Sequence, residues 1–416
     1  MVDIKLSNVL LSRITGLFNT IFSAAIAILS IPFIINKIDL LGYGQWSVIW
    51  IFLGIAAFLD LGLSKQLVQN IAKTSNQRDI ENFISGAKKS FTLIQFSIVL
   101  IHVIGFLFAN NVLSLDLHLN YFFISLVILS GSLQFNLYKS IFEGLQKVYI
   151  SNIYSFFQTF LFYLFTFLVI DSNIDTTGII LASSCAFIVT PLIMFFHQLL
   201  ELKNFKKTKI KYLKALGMYL NSVSFFHFNV VTGSQYLIAR SILFSVSPVL
   251  HGIFDVGLKI GISSQSLLNS LTLHVHAQLR QVSSSIEDMD QVVYKNFAIC
   301  LALFVLGNLI FFFFGDLILK FLFNSENTYF WINFFLLLST TSASVFEPFT
   351  RGLWAKNQVG ITTKSKYLIV ISILISALFP HKDILLNITI GYSVGILLSN
   401  IYVYFSYKHI IKSWKI

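Results

Sequence analysis

Apolar runs of bilayer-spanning length recur from one end of this chain to the other, and short polar loops separate them. A hydrocarbon core about 30 Å thick needs about 20 apolar residues of helix to cross it. Backbone polar groups inside that core must be satisfied within the protein, which only helices and closed barrels achieve. Roughly twelve runs can be placed, at about 14–35, 44–64, 91–110, 119–138, 152–170, 177–199, 219–245, 249–271, 296–319, 328–350, 366–380 and 384–406. An all-α polytopic membrane protein of about 12 transmembrane helices follows. Only 11% of the 416 residues are charged, so a charge inside a run carries information.

The net charge of +11 is distributed unevenly. With the N-terminus inside, Lys5, Arg13, Lys65 to Lys89, Lys139, Lys147, the cluster Lys203 to Lys214, Arg280, Lys356 and Lys408 to Lys415 fall on one side. Only Lys37, Lys320 and Lys382 fall opposite. This asymmetry places both termini in the cytoplasm and accounts for the basic balance without a nucleic-acid partner. Tyr43, Trp46, Trp50 and Trp331 sit where interfacial aromatic belts are expected. Cys185 and Cys300 both fall in spans, so no disulfide framework is expected. His274 and His276 are two apart, on different helix faces, and no metal site is expected. The loops are too short to fold as domains, so the protein's work must be done inside the bundle.

The basic loop 201–214 divides the chain into halves, 1–200 and 215–416, each with six spans. At an offset of 210, Ser12 matches Ser222, Asn19 matches Asn229 and Gly42 matches Gly252. Gly144-Leu145 recurs as Gly352-Leu353 at an offset of 208. An even number of spans per half gives parallel repeats about an axis along the membrane normal. The first and seventh spans carry matching polar stripes: Ser12, Asn19, Ser23 and Ser30, then Ser222, Asn229, Gly233 and Arg240, both spaced 7, 4 and 7. Such steps keep residues on one helix face. The stripe of the first span reads best as helix packing. In the seventh span Arg240 favours a wet face, because packing has no need of a guanidinium and a buried charge costs about 2.5–3.5 kcal/mol.

Asp255 and Lys259 lie four apart on the eighth span, a self-neutralising pair that serves either to orient the helix or to balance Arg240. Asp60 closes the second span beside Lys65, where an interfacial helix end is the plainer expectation. Glu143 and Arg351 occupy equivalent repeat positions, and Glu347 precedes Pro348. These four are the candidates for gating or coupling, with solvated helix ends as the alternative. Arg240, Lys259, Asp255, Asn229, Asn19 and Ser23 are the candidate cavity residues. An intramembrane arginine on a polar stripe points to a polar path through the bundle, the signature of a transporter.

The segment IPFIINKIDLLGYGQWSVIWIFLGIAAFLDLGLSKQLVQNIAK, residues 31–73, resembles the polysaccharide-export branch of the multidrug/oligosaccharidyl-lipid/polysaccharide (MOP) transporter superfamily. It has a Gly-Tyr-Gly turn at 42–44 and an Asp-Leu-Gly-Leu end at 60–63, with an echo in HGIFDVGLKIG at 251–261. Within that branch the chain is most similar to Wzx-type O-antigen flippases. The resemblance implies two six-helix bundles in a V around a central cavity. It implies an undecaprenyl-diphosphate-linked oligosaccharide as cargo, moved between leaflets of the bacterial inner membrane by rocking of the halves. It also implies membrane lipids, and the polymerase and chain-length machinery of the same pathway, as partners. No cofactor is implied beyond coupling to a proton or sodium gradient. A bundle with its own cavity needs no second copy, so a monomer is expected. The alternatives are another cargo on the same fold, lipid II or a drug, and an O-antigen polymerase or ligase. The short outer loops argue against the last.

Overall fold

Every regular element among the described residues is a helix. The computed structural model describes residues 2–60, 62–74, 76–111, 119–172, 175–201, 223–271, 286–356, 358–379 and 383–414. In chain order the helices are α1 (Val2–Trp46), α2 (Ile49–Leu59), α3 (Leu63–Lys73), α4 (Gln77–Asn111), α5 (Leu119–Gly144), α6 (Val148–Ile170), α7 (Thr176–Ser184), α8 (Ala186–Glu201), α9 (Val223–Val246), α10 (Pro248–Leu271), α11 (Ile286–Phe323), α12 (Phe330–Ala355), α13 (Val359–Ala377) and α14 (Ile384–Trp414). Two pairs are single helices with a break, α2–α3 at the left-handed Gly62 (φ 73°) and α7–α8 at Cys185. Counted so, the described residues form twelve helices, as many as the apolar runs of the sequence.

Among the described residues, seven stretches are long and apolar enough to cross a membrane, and they include α5, α6, α11, α13 and α14. Among the described residues α9, α10 and α12 fall short of that apolarity. α12 shows why. Its Ser339, Thr340, Thr341 and Ser344 are buried, and the hydroxyls of Ser339, Thr340 and Thr341 bond to carbonyls of the preceding turn. A hydroxyl satisfied in this way sits in an apolar bundle at little cost.

The chain forms two compact units, Met1–Asn19 with Val48–Val230, and Thr20–Ser47 with Val231–Ile416. This is not the division into halves 1–200 and 215–416. The later part of α1 belongs with the second unit, because residues 43–47 pack against α10. The basic linker 201–214, apart from Glu201, lies outside the described residues, as do His274, His276 and Lys382.

The first unit packs around Leu67, Ile71, Leu133, Ile141 and Phe142, from α3 and α5. The second packs around Met289, Val293, Phe349, Leu353 and Tyr407, from α11, α12 and α14. The repeated Gly-Leu pair does the same work in each. A Cβ on Gly144 would lie 2.8 Å from Ile71, and one on Gly352 would lie 2.6 Å from the Tyr407 ring.

Several local expectations are corrected. The turn near 42–44 is helical; the backbone breaks at Asp39 instead (φ 57°), whose Oδ1 accepts from Gly42 N at 2.8 Å. Tyr43 and Trp46 are fully buried rather than interfacial, and Trp50 is half-buried. Trp331 alone of the four is well exposed, at 59%. Asp60, read as an interfacial helix end, is buried and accepts from Ser64 Oγ at 2.6 Å. Ser12 of the first stripe lies beside α6, where its carbonyl accepts from Asn152 Nδ2 at 3.0 Å.

Candidate functional site

Helices α9 and α10 are joined by one residue, Ser247. Pro248 opens α10, where its missing N–H is no loss. Ser247 Oγ accepts from Val249 N at 3.2 Å and caps the helix. So tight a turn makes the two helices antiparallel neighbours. Arg240 lies seven residues before the turn and Asp255 eight after it. At 1.5 Å per residue these are distances of about 10 and 12 Å along the two helices, so the side chains arrive nearly level.

The glycines of α10 decide which way Asp255 and Lys259 face. A Cβ on Gly257 would lie 2.6 Å from Leu336, and one on Gly261 would lie 2.2 Å from Thr340 Oγ1. This small-residue face lets α10 lie directly on α12. Asp255 and Lys259 are offset from the glycines by two residues, so they point away from α12.

What they meet is a buried polar cluster. Arg240 Nη2 donates to Asp255 Oδ1 at 2.8 Å. Lys259 Nζ lies 3.0 Å from Asp255 Oδ2. Tyr43 OH donates to Asp255 Oδ2 at 3.1 Å and accepts from Lys259 Nζ at 2.9 Å. The ammonium also lies 4.9 Å from the Tyr43 ring centre and 4.7 Å from that of Trp46, a cation–π arrangement. Asp255 is 0% exposed, Arg240 8% and Lys259 7%. Two cations share one carboxylate, so the cluster carries a surplus positive charge. Arg240 Nε is buried with no protein acceptor.

His251 stands one turn before Asp255 on the same helix. Its Nδ1 lies 3.0 Å from Gly44 O and 3.1 Å from Ser47 Oγ. Because Gly44 O only accepts, Nδ1 carries the proton in the neutral ring. The approach requires glycine at position 44, where a Cβ would sit 1.9 Å from Pro248 O.

Of the candidate cavity residues, the structure thus brings Arg240, Asp255 and Lys259 together in the second unit. Asn229 belongs to the first unit and accepts from Lys65 Nζ at 2.8 Å. Asn19 also belongs to the first unit, and half-buried Ser23 to the second. Three of the four gating candidates sit in local ion pairs. Arg351 Nε donates to Glu347 Oε1 at 3.0 Å, and Lys139 Nζ lies 4.0 Å from Glu143. These two pairs occupy matching repeat positions with the charges exchanged. Sequence reasoning missed Tyr43, Trp46, Ser47 and His251 as members of the site. Their signal was proximity to glycines 42, 44 and 252, which mark close helix contact as well as turns.

No family model matches this chain, and no curated protein sequence does. Solved structures do. An inward-facing multidrug resistance MATE family transporter of the MOP superfamily aligns with TM-score 0.69 at 12% identity, over 96% of this chain and 95% of its own. The lipid II flippase MurJ, in an inward closed conformation, aligns with TM-score 0.69 at 14% identity, over 97% and 87%. A MATE transporter from Vibrio cholerae aligns with TM-score 0.60 at 14% identity, over 98% of both chains. The chain therefore has the fold of these multi-pass membrane proteins over nearly its whole length.

Proposed function

We propose that the protein is a flippase that carries an undecaprenyl-diphosphate-linked oligosaccharide, an O-antigen or polysaccharide repeat unit, from the cytoplasmic to the periplasmic leaflet of the bacterial inner membrane. One observation carries the reading: Arg240 and Lys259 share the single carboxylate of Asp255 inside an apolar helical bundle. A diphosphate presents more acceptor oxygens and more charge than that carboxylate. It satisfies the guanidinium bidentately, including the Nε that has no acceptor, and engages the ammonium as a point charge. Asp255 then serves as the counter-charge that holds both cations ready while no cargo is bound.

No covalent bond changes in this reaction. The protein lowers the barrier for a charged head group to pass an apolar core, while the polyprenyl tail stays in lipid. Alternating access of the repeats, drawing on a proton or sodium gradient, supplies direction. The chain acts as a monomer with both termini in the cytoplasm, and the polymerase and chain-length machinery take the product. The fold likeness to a lipid II flippase supports a lipid-borne cargo. The surplus positive charge disfavours the cationic compounds a multidrug exporter would carry.

The test is complementation of a gene deletion by wild type and by Arg240→Gln. Wild type should restore surface polysaccharide, and the variant, at equal protein level, should leave lipid-linked units in the inner leaflet. Undiminished display with Arg240→Gln refutes the role of the cluster. Units that reach the periplasm unpolymerised in the deletion strain refute translocation as the function.

A further inference from the structure

The first unit has a partly open cavity of about 280 Å³ between α2, α5, α6 and α8. Ligand pockets run from about 300 to 1,000 Å³, so this one suits a single ring rather than a drug-sized molecule. Five aromatic side chains line it: Trp50, Phe135, Phe162, Tyr163 and Phe187. Trp50 and Phe162 stand 5.6 Å apart at 55°, forming a corner rather than a closed stack. The lining also includes Ser132 and Asn136, one turn apart on α5, and Gln158 and Thr159 on α6.

Ser132 Oγ and Gln158 Nε2 are buried with no protein partner. Buried polar atoms are nearly always hydrogen-bonded, so these two are suited to a ligand. The lining has no acidic or basic side chain. A phosphate would find no cation there, and a cationic compound no anion. A lipid chain would leave the hydroxyl and the amide unpaired. A neutral ring with apolar faces and a polar rim fits both halves of the lining.

We propose that this cavity is a carbohydrate subsite that holds one pyranose ring of the cargo. The C–H faces lie on Trp50 and Phe162, and the ring hydroxyls bond to Ser132 and Gln158. The inference rests on the flippase reading for its substrate class, and it assigns the sugar to a site separate from the charged cluster.

The test is saturation-transfer NMR on the full chain in lipid nanodiscs, with free glucose, galactose, N-acetylglucosamine and rhamnose as probes. At least one sugar should receive saturation at its ring protons. Gln158→Leu and the milder Ser132→Ala should each reduce that transfer by at least about fivefold, the loss expected for one hydrogen bond. Arg240→Gln should leave it unchanged. Phosphorus line broadening of inorganic diphosphate, lost in Arg240→Gln, reports on the charged cluster alone. Pocket-dependent sugar transfer without diphosphate broadening would keep the subsite and sink the diphosphate reading. Transfer to no sugar, transfer indifferent to both pocket variants, or transfer only to the lipophilic cation tetraphenylphosphonium would overturn the subsite.

Discussion

Arg240 and Asp255 are joined at 2.8 Å across a one-residue helical turn, and the carboxylate is wholly buried. The pair is unequal because Lys259 holds the other carboxylate oxygen. Removing the acid therefore differs from removing either base.

Asp255→Asn leaves two buried cations side by side without a counter-charge. Breaking a buried pair from one side costs about 3–5 kcal/mol. Arg240→Gln leaves the neutral pair Asp255–Lys259 and should be better tolerated. Thermal unfolding of the purified protein should rank Asp255→Asn well below Arg240→Gln. The reverse order would mean that Asp255 is not the shared counter-charge.

Tyr43→Phe removes the hydroxyl between Lys259 and Asp255 and keeps the ring beneath the ammonium. Loss of a hydrogen bond to a charged group costs about 1.5–3 kcal/mol. Tyr43→Leu also loses the cation–π contact and should be less stable still. Equal melting temperatures for the two variants would show that the ring contributes nothing.

Gly261→Ala places a methyl 2.2 Å from Thr340 Oγ1 and 3.1 Å from Leu336 O. Overpacking of this kind costs about 1–3 kcal/mol. Thr340→Ala should recover part of that loss in the double variant. Gly360 has nothing within 4 Å of its own added Cβ, so Gly360→Ala should be neutral or mildly stabilising, by at most about 1 kcal/mol. Denaturation midpoints of the four proteins decide the matter.

The pairs Lys139–Glu143 and Glu347–Arg351 exchange sign between repeats. Swapping the second, as Glu347→Arg with Arg351→Glu, preserves an i,i+4 pair and should recover most of the stability that either single substitution loses. Each single substitution creates a like-charge pair and should do worse. A double variant no better than the singles would show that the order of charges matters.

Much of the site was legible. Charges in apolar runs are rare, so Arg240, Asp255 and Lys259 stood out by residue type alone. Tyr43 and Trp46 did not, because an aromatic ring suits an interfacial belt and a buried core equally well. Asp60 misled in the opposite sense: its place at a helix end suggested solvent, and the fold buries it against Ser64. The first-unit cavity left no trace in the sequence, since its walls come from four helices spread over residues 50–187.

The helices and their number follow from the sequence by itself, because helical hydrogen bonds are local and a run of about 20 apolar residues in lipid has no other way to satisfy its backbone. Tertiary packing decided the rest. Nothing local assigns residues 20–47 to the second unit, sets Tyr43 between Lys259 and Asp255, or leaves Ser132 and Gln158 facing a cavity. Those outcomes depend on how closely glycines 44, 257 and 261 in the second unit, and Gly131 in the first, let one helix approach another, and that distance is settled only when both surfaces are present.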